Sequence, residues 1–116
     1  SVFITGCGPG GIGASLAKEF YHRVFASGRT PEETDPSLSD LRIDTLVVDV
    51  TSSKSIEAAA QMIRAKTGGT LDVLINNAGL IHVMPFADTP VAEVRRLFDV
   101  TVFAIWVVTQ AFLPLL

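Results

Sequence analysis

Along this chain, short continuous apolar runs alternate with stretches in which apolar residues recur every three or four positions. Val2-Phe3-Ile4 is the first run, and Ile12, Leu16 and Phe20 follow it at helical spacing. That is the pattern of a strand, a tight turn and a helix. A second strand is predicted at Val24-Phe25-Ala26-Ser27, ending at Gly28-Arg29. Thr30 to Asp40, rich in Pro, Glu, Asp, Ser and Thr, predicts a loop with at most a short helix. Thr45-Leu46-Val47-Val48-Asp49 predicts a third strand, and its continuous apolar character implies burial on both faces. Ile56, Ala59, Ala60 and Ile63 fall at i, i+3, i+4 and i+7, which predicts a helix capped by Ser52 or Ser53 and stopped by Gly68-Gly69. Leu71 to Asn76 predicts a fourth strand.

Strands alternating with helices imply right-handed crossovers and an α/β fold built on a parallel sheet. Ligands of such sheets bind beyond the carboxyl ends of the strands. Here those ends are Gly6, Arg29, Asp49 and the Asn77 to Gly79 segment, which converge on one crevice. The first turn holds five glycines within eight residues. Lacking a Cβ, Gly6 can turn sharply after the strand, Gly11 can let a pyrophosphate approach the backbone, and Gly13 can let the helix pack closely on the sheet. The free N–H groups and positive dipole end of that helix face the anion.

Composition narrows the field. At 116 residues the chain fits one domain, residues 1–116, with no linker or internal repeat. A hydrophobic fraction of 48% and a mean hydropathy of +0.43 imply a surface that meets a partner subunit as well as water. Net charge is −3 with scattered basic residues, which argues against nucleic acid. Cys7 is the single cysteine, so no internal disulfide and no Cys/His metal cluster is expected, and a reducing, cytoplasmic setting suits it. Helix-terminal N–H groups could lower its pKa; the plainer reading is a small residue tolerated in a tight turn. No cleavable secretory signal is expected ahead of the first strand.

Thr5-Gly6 with Gly11-Ile12-Gly13, Asp49-Val50 after the third strand and Asn76-Asn77-Ala78-Gly79 after the fourth resemble the short-chain dehydrogenase/reductase family, in matching order and spacing across the chain. Ile4 to Cys7, Phe25 to Pro31 and Thr109 to Pro114 are similar in wording to a fungal-type branch containing NADPH-dependent acyldihydroxyacetone-phosphate reductases. The resemblance implies a Rossmann-like sheet of about four strands, order 3-2-1-4, flanked by helices. It implies that Gly6, Gly11, Ile12 and Gly13 hold the pyrophosphate, that Asp49 and Val50 border the adenine, and that Asn77, Ala78 and Gly79 line the ribose, with Asn76 bracing the sheet. NAD-using relatives usually place a carboxylate at the end of the second strand. Here Gly28 leaves room and Arg29 offers a fork for a 2′-phosphate, so NADP(H) is the expected cofactor.

The chain also departs from the family. Reduction there depends on a tyrosine, a lysine four residues later, a serine and a supporting asparagine; the tyrosine's pKa, ordinarily about 10, must fall toward neutrality. The only tyrosine is Tyr21, followed four residues on by Phe25, so the Tyr-Lys pair does not exist in this chain. Thr101 stands at the usual asparagine position, and a hydroxyl cannot reproduce an amide's two donors. Four residues separate Gly6 from Gly11 where three are typical, so Gly8-Pro9-Gly10 is expected to reshape the pyrophosphate site. The expectation is a cofactor-binding portion lacking the C-terminal catalytic half.

Without a fifth strand, Leu71 to Asn76 becomes an open edge. The last helix, roughly Val91 to Leu116, is apolar on nearly every face from Val100 on, and such a helix must be buried. Relatives dimerise through it, so a homodimer through this helix, the open edge or both is expected. The rival is a membrane segment, but its 17 uncharged residues fall short of the roughly 20 needed to span hydrocarbon. His82, after the Asn-Asn-Ala-Gly turn, is either the acid or base of the crevice or a surface histidine; His22 is assigned nothing. Two readings stay open. One is the cofactor portion of an NADP(H)-dependent carbonyl reductase that takes a carbonyl substrate when a catalytic half is supplied. The other is a repurposed reductase-like protein acting as a binding module or non-redox catalyst.

Overall fold

The computed structural model describes residues 1–20 and 23–116; the expectations placed on Tyr21 and His22 lie outside the described residues. Strand β1 (Val2–Ile4) is buried along its whole length because it sits inside the sheet. It pairs in parallel with β2 (Val24–Gly28) on one side and β4 (Val73–Ile75) on the other, with Phe3 opposite both Phe25 and Leu74. Strand β3 (Asp44–Val47) completes the order β3-β2-β1-β4 on the far side of β2. The parallel α/β sheet and its order are those expected.

The two-residue period of the strands sorts side chains between two cores. Val2, Ile4, Val24 and Ala26 face helix α1 (Ile12–Glu19) and the single-turn α2 (Ser37–Asp40), burying Ala14, Ala17 and Leu38. Phe3, Phe25 and Leu46 face helix α3 (Ser53–Thr67) and helix α5 (Ala104–Phe112), with Ile56, Ile63, Val108 and Phe112. Phe3 and Phe112 stack with centroids 4.8 Å apart, a geometry worth about 0.5–1.5 kcal/mol beyond the area buried. The predicted caps of α3 are present: Ser52 Oγ accepts from Ser55 N–H at 3.4 Å, and Gly68 closes the helix at φ +75°.

Three expectations are corrected. Strand β3 is not buried on both faces: Leu46 is buried while Val47 is 56% exposed, because β3 is an edge strand and α2, one turn long, does not cover its second face. Strand β4 is shorter than Leu71 to Asn76, since Leu71 N–H bonds the Leu115 carbonyl instead of a neighbouring strand. Its outer edge has no strand partner among the described residues, as expected.

The third correction concerns the C-terminal helix, which is divided into α4 (Val91–Phe98), a π turn (Asp99–Phe103), α5 and a final 3-10 turn (Leu113–Leu115). Within this chain it is buried along one side. Ala104, Val108 and Phe112, at i, i+4 and i+8, form the one stripe that faces the sheet, while Phe98, Phe103, Ile105, Trp106 and Leu113 are exposed. A helix lying on one face of a sheet can bury only the stripe turned toward it. The helical run Val91–Leu115 is 25 residues, so length alone does not set it below a membrane span.

Candidate functional site

The carboxyl ends of β1 and β4 are tied together by polar groups in pairs. Thr5 Oγ1 accepts from Asn77 N–H at 3.1 Å and Ala78 N–H at 3.0 Å, and donates to the Ile75 carbonyl at 3.4 Å. Asn77 Nδ2 donates to the Thr5 carbonyl at 2.9 Å and the Gly6 carbonyl at 2.8 Å. Both neighbours of that amide are carbonyls, which only accept, so the nitrogen must face them. Asn76 Nδ2 reaches Thr109 Oγ1 at 3.1 Å and braces β4 against α5, as expected.

The glycines divide into distinct roles. Gly6 turns the chain at φ +73°, and a Cβ there would lie 2.7 Å from Ala78 Cα. A Cβ on Gly13 would lie 2.6 Å from the Gly6 carbonyl oxygen and 2.4 Å from Asn77 Nδ2, so α1 packs on the strand ends as closely as only glycine allows. The longer loop is absorbed by a turn in which Gly11 N–H bonds the Gly8 carbonyl at 3.0 Å, leaving Pro9 and Gly10 exposed. Gly11, at the N-cap of α1, supplies no side-chain cap, so the first-turn N–H groups remain for an anion.

Beyond these turns opens a crevice of about 330 Å³. Of the expected site residues it gathers Gly6, Arg29, Asp49, Val50, Ala78 and Gly79 on its wall. Gly11, Ile12, Gly13 and Asn77 lie outside that lining: Gly13 and Asn77 buttress it from behind, and Ile12 is 74% exposed. Asp49 Oδ1 accepts from Thr51 N–H at 2.9 Å and Thr51 Oγ1 at 2.7 Å, and these bonds hold its pKa below the usual carboxylate range. Arg29 Nη2 donates to Glu33 Oε1 at 2.6 Å; that bond, with the charges of Glu33 and Asp49, keeps the guanidinium firmly protonated.

One site expectation changes. Gly28 does not leave open room: the place of its absent Cβ lies 2.4 Å from Thr34 Oγ1 and 2.6 Å from the Glu33 carbonyl oxygen, so it admits the 31–34 turn. Thr101 does not reach the crevice; Asp99 and Val100 do, and Thr101 is exposed on the apolar face beside Trp106. His82 is not on the crevice wall either; it is half-buried, with Nε2 shielded and without a partner among the described residues. Cys7 is not activated: burial pushes its thiol up to about 11, while its backbone bridges Ser27 and Asp35.

Sequence reasoning passed over Thr5 as a site residue, and also Glu33, Thr51, Arg96 and Asp99. The Asp-Val-Thr spacing at Asp49 was a readable turn signal, and Arg29 to Glu33 and Arg96 to Asp99 stand at i, i+4 and i, i+3. Nothing local announced that these pairs face one crevice.

A family model described as short chain dehydrogenase matches residues 1–116. A short-chain dehydrogenase/reductase from Pestalotiopsis microspora is 45% identical over 98% of this chain and 42% of its own length. A short-chain dehydrogenase from Penicillium ochrochloron is 42% identical over 100% of this chain and 44% of its own. The chain therefore spans less than half the length of the curated relatives it matches. Among solved structures, the NADPH-bound carbonyl reductase from chicken fatty liver superposes with a TM-score of 0.88 at 26% identity, covering 99% of this chain and 50% of that one. A short chain dehydrogenase from Mycobacterium smegmatis gives 0.86 at 31% identity, covering 98% and 50%.

Proposed function

The chain belongs to the short-chain dehydrogenase family, and from that premise we propose that it is the NADP(H)-binding portion of a carbonyl reductase. The observation that carries this reading is the crevice itself. Arg29 at the end of β2, Asp49 at the end of β3 and Ala78-Gly79 after β4 share one wall beside the glycine turn. On this reading the first-turn N–H groups of α1 hold the pyrophosphate, with Gly6 and Gly11 admitting it and Ile12 at the mouth. Asp49 and Val50 border the adenine, Ala78 and Gly79 run along the ribose, and Arg29 takes the 2′-phosphate. Gly13 and Asn77 act indirectly by holding the turn in shape. The bound cofactor would supply a hydride; the chain's own residues bind and orient it. NADPH in the chicken reductase supports the choice of cofactor.

Proton donation lies elsewhere, since this chain contains no tyrosine with a lysine four residues on. Serine, tyrosine and lysine are supplied by further polypeptide, together with the carbonyl-binding site. The apolar face of α5, with Ile105, Trp106 and Leu113, is the proposed homodimer surface.

Fluorescence titration of the 116-residue chain with NADPH and NADH tests the reading. Micromolar NADPH binding that Arg29→Ala weakens about tenfold supports it, a loss in the range of a charge-assisted bidentate contact. Failure of both nucleotides to bind refutes it and leaves a repurposed scaffold.

A further inference from the structure

Resting on that reading of the crevice, we propose that Glu33 sets the preference between NADPH and NADH by engaging the Arg29 guanidinium where a 2′-phosphate would bind. Arg29 and Glu33 line the same crevice, and Arg29 Nη2 donates to Glu33 Oε1 at 2.6 Å. A guanidinium presents its donors as one planar fork, which matches a carboxylate or a phosphate equally well. The carboxylate of Glu33 and the phosphate on an adenosine ribose are therefore competitors for a single cation. NADH carries a hydroxyl at that position and leaves the Arg29–Glu33 pair in place.

The charge around the pair sharpens the competition. The crevice wall carries Arg29 and Arg96 against Glu33, Asp49 and Asp99, two cations against three carboxylates. Asp49 also acts on Arg29 through its charge. A phosphate entering here brings about −1.5 to −2 further charges at neutral pH. Neutralising Glu33 removes one carboxylate from the path of the anion and weakens its hold on the fork, since an amide oxygen accepts without charge assistance.

The side chain of Glu33 is separable from the fold. Its backbone N–H bonds the Thr30 carbonyl at 3.2 Å and Thr30 Oγ1 at 3.3 Å, and its own carbonyl approaches Gly28. These backbone contacts shape the turn. The side chain is 46% exposed, and its one bond among the described residues is to Arg29. An exposed pair of this kind contributes little to folding, so Glu33→Gln keeps the fold.

The test measures NADPH and NADH affinity of the full 116-residue chain by fluorescence titration, with 2′-AMP and 5′-AMP as displacing probes. Wild type, Glu33→Gln, Arg29→Ala and the double variant are compared, and unfolding midpoints establish that each is folded. Glu33→Gln is expected to tighten NADPH and 2′-AMP about three- to tenfold and to change NADH and 5′-AMP less than about twofold. In the Arg29→Ala background the same change is expected to move the ratio clearly less, since only the relief of negative charge remains once the fork is gone, a difference that a purely structural role for Glu33 would not produce. An unchanged NADPH to NADH ratio in Glu33→Gln, or an equal change with Arg29 absent, overturns the proposal while leaving the cofactor site standing. Absence of binding by either nucleotide to wild type overturns both.

Discussion

Asn77→Asp changes neither the size nor the shape of a side chain, yet it reverses the polarity of the joint beneath the crevice. The native amide donates to the Thr5 and Gly6 carbonyls at 2.9 and 2.8 Å. An ionised carboxylate has no donor, so both contacts become repulsive. Two lost hydrogen bonds account for about 1 kcal/mol each, and a part-buried carboxylate facing two carbonyls adds about 1–3 kcal/mol. The expected loss is about 3–5 kcal/mol at pH 7, against a total of about 6–17 kcal/mol for a chain of this length. Asn77→Ala removes the bonds without the repulsion and is expected to lose about 2 kcal/mol.

Urea unfolding followed by circular dichroism measures both. With a slope of about 2 kcal/mol/M, the midpoint of Asn77→Asp falls by about 1.5–2.5 M relative to wild type. The pH dependence has a definite sign. The introduced carboxyl has a folded pKa above its unfolded value of about 3.9, so the native state holds its proton more tightly. The deficit relative to wild type is then smallest below about pH 4 and grows as pH rises through the folded pKa. A midpoint within about 0.2 M of wild type at pH 7, or a deficit that shrinks with rising pH, would refute the argument.

Gly13→Ala places a methyl against the Gly6 carbonyl and the Asn77 amide, contacts of 2.6 and 2.4 Å; overpacking of about 1–3 kcal/mol outweighs the helical gain of about 0.5–1 kcal/mol, and the urea midpoint falls. Gly10→Ala, at φ +67° in open space, has only the backbone penalty of about 1–2 kcal/mol, read as a lower urea midpoint, and leaves the hydrogen bonds of the Asn77 joint in place. Asp35 is held down to about 2 by Ser37 and by Lys18 at 2.9 Å, so its contribution is present above the unfolded value near 3.8 and is lost as pH falls toward 2. Asp35→Asn is therefore expected to flatten the stability profile between pH 4 and 2, read from thermal midpoints. The Cys7 thiol, buried and raised to about 11, is expected to stay inert to a disulfide reagent at pH 7.5 until urea unfolds the chain. Rapid labelling of the native protein would contradict its placement.

The identity of the elements was legible because it is encoded locally. Apolar runs marked β1 and β2, helical spacing marked α3, and Ser52 and Gly68 capped it, all through sterics and hydrogen bonds within a few residues. The alternation of those elements also implied a parallel sheet, and with it the crevice at the strand ends. What depended on distant partners was not legible. The amide nitrogen of Asn77 is committed to carbonyls 71 and 72 positions away, a contact that exists only once β4 lies beside β1. The apolar run of β3 promised burial on both faces, yet an edge position with a one-turn helix beside it covers one. From Val100 on the C-terminal helix reads as apolar on nearly every face; the sheet has room for one stripe of it, and the π turn brings Asp99 and Val100 to the crevice. Sequence by itself determined which segments become strands, helices and turns, since that follows from each residue and its near neighbours. Tertiary structure alone decided which polar groups are free to meet a ligand, because that depends on what packs behind them.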